Sequence, residues 1–172
     1  PKLPGQAFGS FLIQSFQTLN YTSPIAIADR SNQPNKISNI SSTYDFSPPY
    51  FPNNPIFKAT VVRARVVKNG ALPSPIVTKT YFVNPFGSSL FTIPVISIST
   101  SENNFFDYNN GIYVAGVDFD TWRTNYPLGD ADYEIGNFAR KGSSSERPIN
   151  FSYFVNGNEV LNQNIGARIR GN

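Results

Sequence analysis

Cysteine, histidine and methionine are all absent from this chain. Without cysteine no disulfide framework can form. Zinc, haem and iron–sulfur centres built on Cys or His are excluded with it. So are Cys and Ser–His nucleophiles and histidine acid–base chemistry. Long apolar runs are missing too: no stretch approaches the roughly 20 apolar residues of a membrane-spanning helix, so no membrane span is expected. Charge of one sign is scarce. The net charge is +3, and the basic residues are scattered or alternate with apolar ones. Nucleic-acid binding needs a clustered basic patch with aromatic partners. These charges read as an ordinary solvated surface, and no nucleic-acid partner is expected.

What remains is β-forming. The chain is 40% hydrophobic and carries 15 Phe, 9 Tyr and 14 Pro, with many Asn between short apolar runs. Aromatic and β-branched runs punctuated by Pro, Gly and Asn describe a β-rich globular protein. At 172 residues it can form one sizeable domain or two small ones. The opening Pro1-Lys2-Leu3-Pro4-Gly5 lacks a start Met and a charged-then-apolar leader, which reads as a mature or internal fragment.

Residues 8 to 19 are an apolar–polar run with Phe11, Ile13 and Phe16 as candidate buried positions, and Ile25-Ala26-Ile27 reads as a short strand. From Asp29 to Pro55 an Asn/Ser/Pro-rich stretch predicts a long irregular loop. Thr60, Val62, Ala64 and Val66 share one face of a strand and Arg63 and Arg65 the other. The two arginines can bind an anion or simply line the wet face of a sheet. Asn69-Gly70 is a turn signal, and Ile76 to Val83 returns as a second strand.

Asn84-Pro85-Phe86-Gly87 marks a boundary, and Ile93 to Ser99 is the next strand. Residues 100 to 110 predict one helical turn capped by Thr100 or Ser101, with Gly111 past its end. Ile112-Tyr113-Val114 reads as extended, and Asp118 to Trp122 as the opening of another helical turn. The polar segment from Tyr126 to Arg147 predicts a mobile surface loop. Ile149, Phe151, Tyr153 and Val155 alternate into Asn156-Gly157, the best hairpin signal in the chain, and Ile165, Ala167 and Ile169 alternate on a final strand. No long segment has helical periodicity.

Two stretches resemble known families. The run from Lys58 to Gly70, then Pro73-Ser74 and Thr78-Lys79-Thr80-Tyr81-Phe82-Val83, resembles the last hairpin of chitobiase/hexosaminidase C-terminal-like modules. Those are immunoglobulin-like sandwiches related to fibronectin type III-associated repeats. Ile93 to Ile98, Asn104 to Asp107 with Gly111 to Val114, Glu146 to Phe151 and Asn162 to Asn172 together resemble the start of spore coat protein H (CotH) kinase-like proteins. In that family a sandwich module often precedes the kinase-like domain. The resemblance implies a mainly β chain: an immunoglobulin/fibronectin III-like β-sandwich over 1–84, then a truncated, β-rich and partly α+β domain over 85–172. It also implies a non-catalytic, structural or scaffolding segment of a secreted or surface bacterial protein, with protein partners or neighbouring domains. The kinase-like family's nucleotide-binding lysine and metal-binding acidic residues lie downstream of the part matching Arg170-Gly171-Asn172. Phosphoryl transfer is therefore expected only of a longer polypeptide.

Two sets of side chains are candidate sites. Asp107, Asp118, Asp120, Asp130 and Asp132 can offer oxygen ligands to calcium, although no Asp-x-Asp-x-Asp-Gly loop is present and Asp also serves as cap and turn residue. Trp122 and Tyr126 can stack on a sugar face, making a glycan-binding or adhesion module the alternative function; packing is the commoner role of such aromatics. Glu134 and Glu146 do not by spacing alone define a glycosidase pair. No catalytic residue and no organic cofactor is expected within the chain.

Overall fold

The computed structural model describes residues 18–33, 54–130 and 135–170. The expected buried positions Phe11, Ile13 and Phe16, most of the loop from Asp29 to Pro55, and Asp132 lie outside the described residues. What is described is mainly β: five strands in two antiparallel sheets, with two short helices.

The first sheet is a ribbon of β1 (Thr60–Ala64) and β2 (Val77–Tyr81), registered Thr60 to Tyr81 through Ala64 to Val77. The expected first strand ends early. After Ala64 the backbone is held by Ser74, whose hydroxyl accepts the Val66 N–H at 2.9 Å while its own N–H donates to the Val66 carbonyl at 3.0 Å. The turn falls at Asn69-Gly70 as expected, with Ala71 N–H donating to the Lys68 carbonyl and Gly70 at φ +75°. Ile25-Ala26-Ile27 joins no strand among the described residues.

The second sheet has the order β3–β4–β5, with β3 (Val95–Ser99), β4 (Arg147–Val155) and β5 (Asn158–Ala167). The β4–β5 hairpin closes through Asn156 (φ 51°) and Gly157 (φ 78°). Two successive residues with positive φ make the type I′ turn whose twist suits a hairpin, which is why Asn-Gly stands there. Pairing runs Arg147 to Ala167, Ile149 to Ile165, Phe151 to Gln163 and Tyr153 to Leu161; the register then slips so that Phe154 meets Glu159, leaving Val160 as a bulge.

Between β3 and β4 the chain forms α1 (Glu102–Phe106) and α2 (Gly116–Asn125). Both helical turns fall near the expected places; Ser101 stands at the N-cap of α1 without a side-chain capping bond, α1 ends at Phe106, well before Gly111, and α2 begins at Gly116, two residues before Asp118. Ile112 to Val114 is a turn and not an extended segment. Its backbone folds back on α1, with Ile112 and Tyr113 N–H groups donating to the Asn104 and Phe105 carbonyls. That turn puts Ile112 and Val114 into a small core with Phe106, Ala115, Phe119 and Ile149. The loop before β4 is packed only in part: Asn137 and Ser145 are buried, in single 3-10 turns at Asn137–Ala139 and Ser143–Ser145, while residues 126–128 and 141–144 are exposed.

The two sheets meet through β2, and the contact is largely polar. Thr78 and Thr80 are buried. The Thr80 and Ser97 hydroxyls lie 2.8 Å apart, Asn162 donates to the Thr78 carbonyl at 3.0 Å, and Lys79 pairs with Glu159. At one end the contact turns aromatic, with Phe82 against Phe154 (4.9 Å) and Phe91 (5.1 Å), and Phe57 beside Phe91 (5.6 Å).

Candidate functional site

α2 carries three of the sequence-predicted site residues, Asp118, Asp120 and Trp122, and Tyr126 follows directly at its end. Gly116 begins it at φ +60°, and a Cβ there would meet the Asn137 side chain at 2.2 Å. Only glycine admits Asn137 so close. Asn137 then serves the helix start from 19 residues away: its Oδ1 accepts the Asp118 N–H (3.2 Å), and its Nδ2 donates to the Tyr108 carbonyl (2.8 Å). Arg140 completes the arrangement with a fork onto Asp118, Nε to Oδ2 at 2.6 Å and Nη2 to Oδ1 at 2.8 Å, and a bond to the Asn109 carbonyl at 2.7 Å.

Three of the calcium candidates, Asp107, Asp118 and Asp120, are engaged by protein groups. Asp118 holds Arg140. Asp120 accepts the Tyr108 hydroxyl at 2.7 Å, and burial together with that carboxylate pushes the phenol up to about 12. Asp107 accepts the N–H groups of Asn109 and Asn110 at 3.0 and 2.7 Å, an Asx turn closing α1. Asp130 is exposed. Among the described residues, no three acidic, His or Cys side chains come together.

Trp122 and Tyr126 are brought together, one helical turn apart, with ring centroids at 5.8 Å and planes tilted by 32°. Tyr126 is exposed, whereas Trp122 is half-buried and carries the Arg123 guanidinium 4.7 Å from its ring centre. Arg123 is in turn anchored on the Gly129 carbonyl at 2.7 Å. One face of the indole is thus covered by a fixed cation, and the open aromatic surface is mainly that of Tyr126.

The three-stranded sheet offers a larger feature. Alternation splits it into two faces. One carries Ser97 and Ser99 of β3, Asn150, Ser152 and Phe154 of β4, and Asn162 and Asn164 of β5. This polar face lies inward, under β2. Asn150 Nδ2 donates to Asn162 Oδ1 (2.8 Å) and Asn164 Oδ1 (3.1 Å), and Ser152 Oγ to Asn150 Oδ1 (3.1 Å). Asn162 Nδ2 donates to Glu159 Oε1 at 2.7 Å. Lys79, then Asn162, hold the Glu159 carboxyl below its ordinary range. Asn150 also heads an Asn-Phe-Ser acceptor triplet for glycosylation, yet it is buried in this network.

The other face is mainly apolar; it is covered at its Ile149 end by the small core and more open beyond it. Ile96, Tyr153 and Leu161 line up across the three strands; Ile98, Phe151 and Gln163 form the next row. Ile96 and Ile98 are 54% and 55% exposed, and Leu161 and Ile165 are exposed as well. No charged residue occurs in either row. Periodicity marked Ile149, Phe151, Tyr153 and Val155 as one face; of these only Ile149 is fully buried, while Asn150, Ser152 and Phe154 are buried on the other. A shallow hollow of about 360 Å³ near the start of β4 is lined by Glu146, Arg147, Asn164 and Gly166. Its arginine is already bonded to the Asn110 and Ser144 carbonyls.

Sequence reasoning missed Asn137 and Arg140. Their partners lie 19 and 22 residues away, and no local pattern links them. Among the described residues, no helix is long and apolar enough to cross a membrane. No family model, curated protein or solved structure matches this chain.

Proposed function

We propose that the chain is a non-catalytic, structural segment of a larger assembly, and that the open face of the β3–β4–β5 sheet packs against a protein partner or neighbouring domain. One observation carries this reading: Ile96, Ile98, Phe151, Tyr153, Leu161 and Ile165 form uncharged rows turned away from the sheet contact, with both isoleucines of β3 more than half exposed. Contiguous apolar surface of this kind marks interaction sites. The sequence resemblances extend the proposal. They favour an immunoglobulin or fibronectin III-like sandwich over 1–84 and the beginning of a CotH-like domain over 85–172, in a secreted or surface bacterial protein whose kinase-like chemistry, if any, resides in a longer polypeptide.

The test is dye binding by the folded protein. A hydrophobic probe such as ANS should bind, and the Ile98→Asp/Phe151→Ser double variant should lose at least half of that signal while keeping its far-ultraviolet circular dichroism. Unchanged dye binding in a folded variant sinks the reading. A thermal-shift titration with magnesium–ATP should leave the melting curve in place; a clear upward shift would argue for nucleotide binding within these residues.

The exposure of Tyr126 beside Trp122 favours a second reading, glycan binding at the end of α2. It predicts glycan-array signals that vanish in Tyr126→Ala. Absence of any glycan signal counts against it.

A further inference from the structure

The outer edge of β5 is a different surface from the sheet face, and its sequence is nearly its own mirror. Among the described residues β5 is an edge strand of its sheet. From Leu161 to Ala167 it has no proline and no charge; the bulge at Val160 ends the regular stretch on one side. Natural edge strands are normally guarded by charge, proline, bulges or shortness, because a free row of N–H and C=O groups templates another strand. β3, at the opposite edge, has such a guard: it is five residues long and follows Pro94. Seven consecutive residues of β5 have none.

The residues around Gln163 read Leu161-Asn162-Gln163-Asn164-Ile165, apolar–Asn–Gln–Asn–apolar in either direction. We infer that β5 pairs antiparallel with β5 of a second copy of this chain about a two-fold axis at Gln163, joining two three-stranded sheets into one of six. This rests on the structural reading above and names a partner for the edge.

The register follows from the pattern. With Gln163 opposite itself, Leu161 meets Ile165 on the open face, and Asn162 meets Asn164 on the polar face. Each pair is chemically matched, as cross-strand neighbours need to be. The inner network continues across the axis, because Asn162 and Asn164 are already joined through Asn150 within one copy. No like charges oppose one another within the paired stretch, and just outside it Arg168 comes diagonally beside the partner copy's Glu159. A two-fold contact of this kind is self-complementary and closes at two copies. A seven-residue edge buries less than a standard interface, so the expected affinity is weak, of about micromolar order.

The absence of cysteine makes the test clean. Sedimentation velocity over a concentration series should show a monomer–dimer equilibrium, and Gln163→Lys, which places two ammonium groups opposite each other, should weaken it at least tenfold. With oxidised glutathione added as the oxidant, a single thiol at Gln163→Cys should form an intermolecular disulfide, since directly opposed residues of antiparallel strands bring their Cβ atoms close to the separation a disulfide spans. It should do so at least tenfold faster than a thiol at Leu128→Cys, on a residue that is 98% exposed and remote from β5 in sequence. A chain that stays monomeric at high concentration overturns the inference, as do equal oxidation rates or a dimer indifferent to Gln163→Lys. Such a monomer that still binds dye through Ile98 and Phe151 overturns the pairing alone and leaves the face reading intact.

Discussion

Asn137 shows how one side chain can set a whole region. It is 1% exposed, and its amide serves the Asp118 N–H, the Tyr108 carbonyl and Arg140 at once. Asn137→Ala removes three hydrogen bonds and leaves buried groups unpaired. It should cost about 3 kcal/mol, read as a lower midpoint in urea unfolding. Tyr108 gives a pH signature. Its phenol is raised to about 12 in the folded chain, so the folded state favours the protonated form. That contribution is fully present below pH about 10, the unfolded phenol's value, and is lost as pH rises toward 12. Tyr108→Phe should therefore destabilise at neutral pH by about 1 kcal/mol and flatten the loss of stability between pH 10 and 12, followed by chemical denaturation across that range. A variant with the same alkaline slope as the parent would assign that slope elsewhere.

Elements differ in how far their own residues announce them. Asn156-Gly157 was legible because a type I′ turn demands two residues that tolerate positive φ, and the observed φ values of 51° and 78° meet that demand. Gly157→Val should cost about 1–2 kcal/mol in thermal or urea unfolding, since a β-branched residue is strained there. The helical turns after Ser101 and around Asp118 were legible in place, although neither start is held by a side-chain cap. Which face of β4 lies inward was not. Alternating Ile149, Phe151, Tyr153 and Val155 resemble a core face, but orientation depends on what covers the sheet, and the cover is Thr78 and Thr80 of β2, about seventy residues earlier. Local alternation reports two faces without saying which is inside. The candidate site behaved alike: aspartates were visible in the sequence, but Arg140 and Asn137, which occupy Asp118, were too distant to be paired with it by pattern.

For the molecule as a whole, polar groups at the sheet contact and apolar rows outside it invert the usual arrangement of an antiparallel sheet. The inversion is sustainable inside because the amides of Asn150 and Asn162 find partners. Outside, it leaves the apolar rows for which a covering partner is proposed above. The long reach of the Asn162–Thr78 bond, 84 residues along the chain, carries a kinetic consequence. β4 and β5 are joined by a two-residue turn and close a short loop, whereas docking of the β1–β2 ribbon must close a long one. The hairpin should form first and the ribbon should join an already built platform. Pulsed hydrogen exchange during refolding checks this: amides of Ile149 to Val155 should become protected before those of Val77 to Tyr81, and the reverse order would refute it. The last strands of the described chain would then be the first to fold, with the ribbon ahead of them in sequence waiting for its floor.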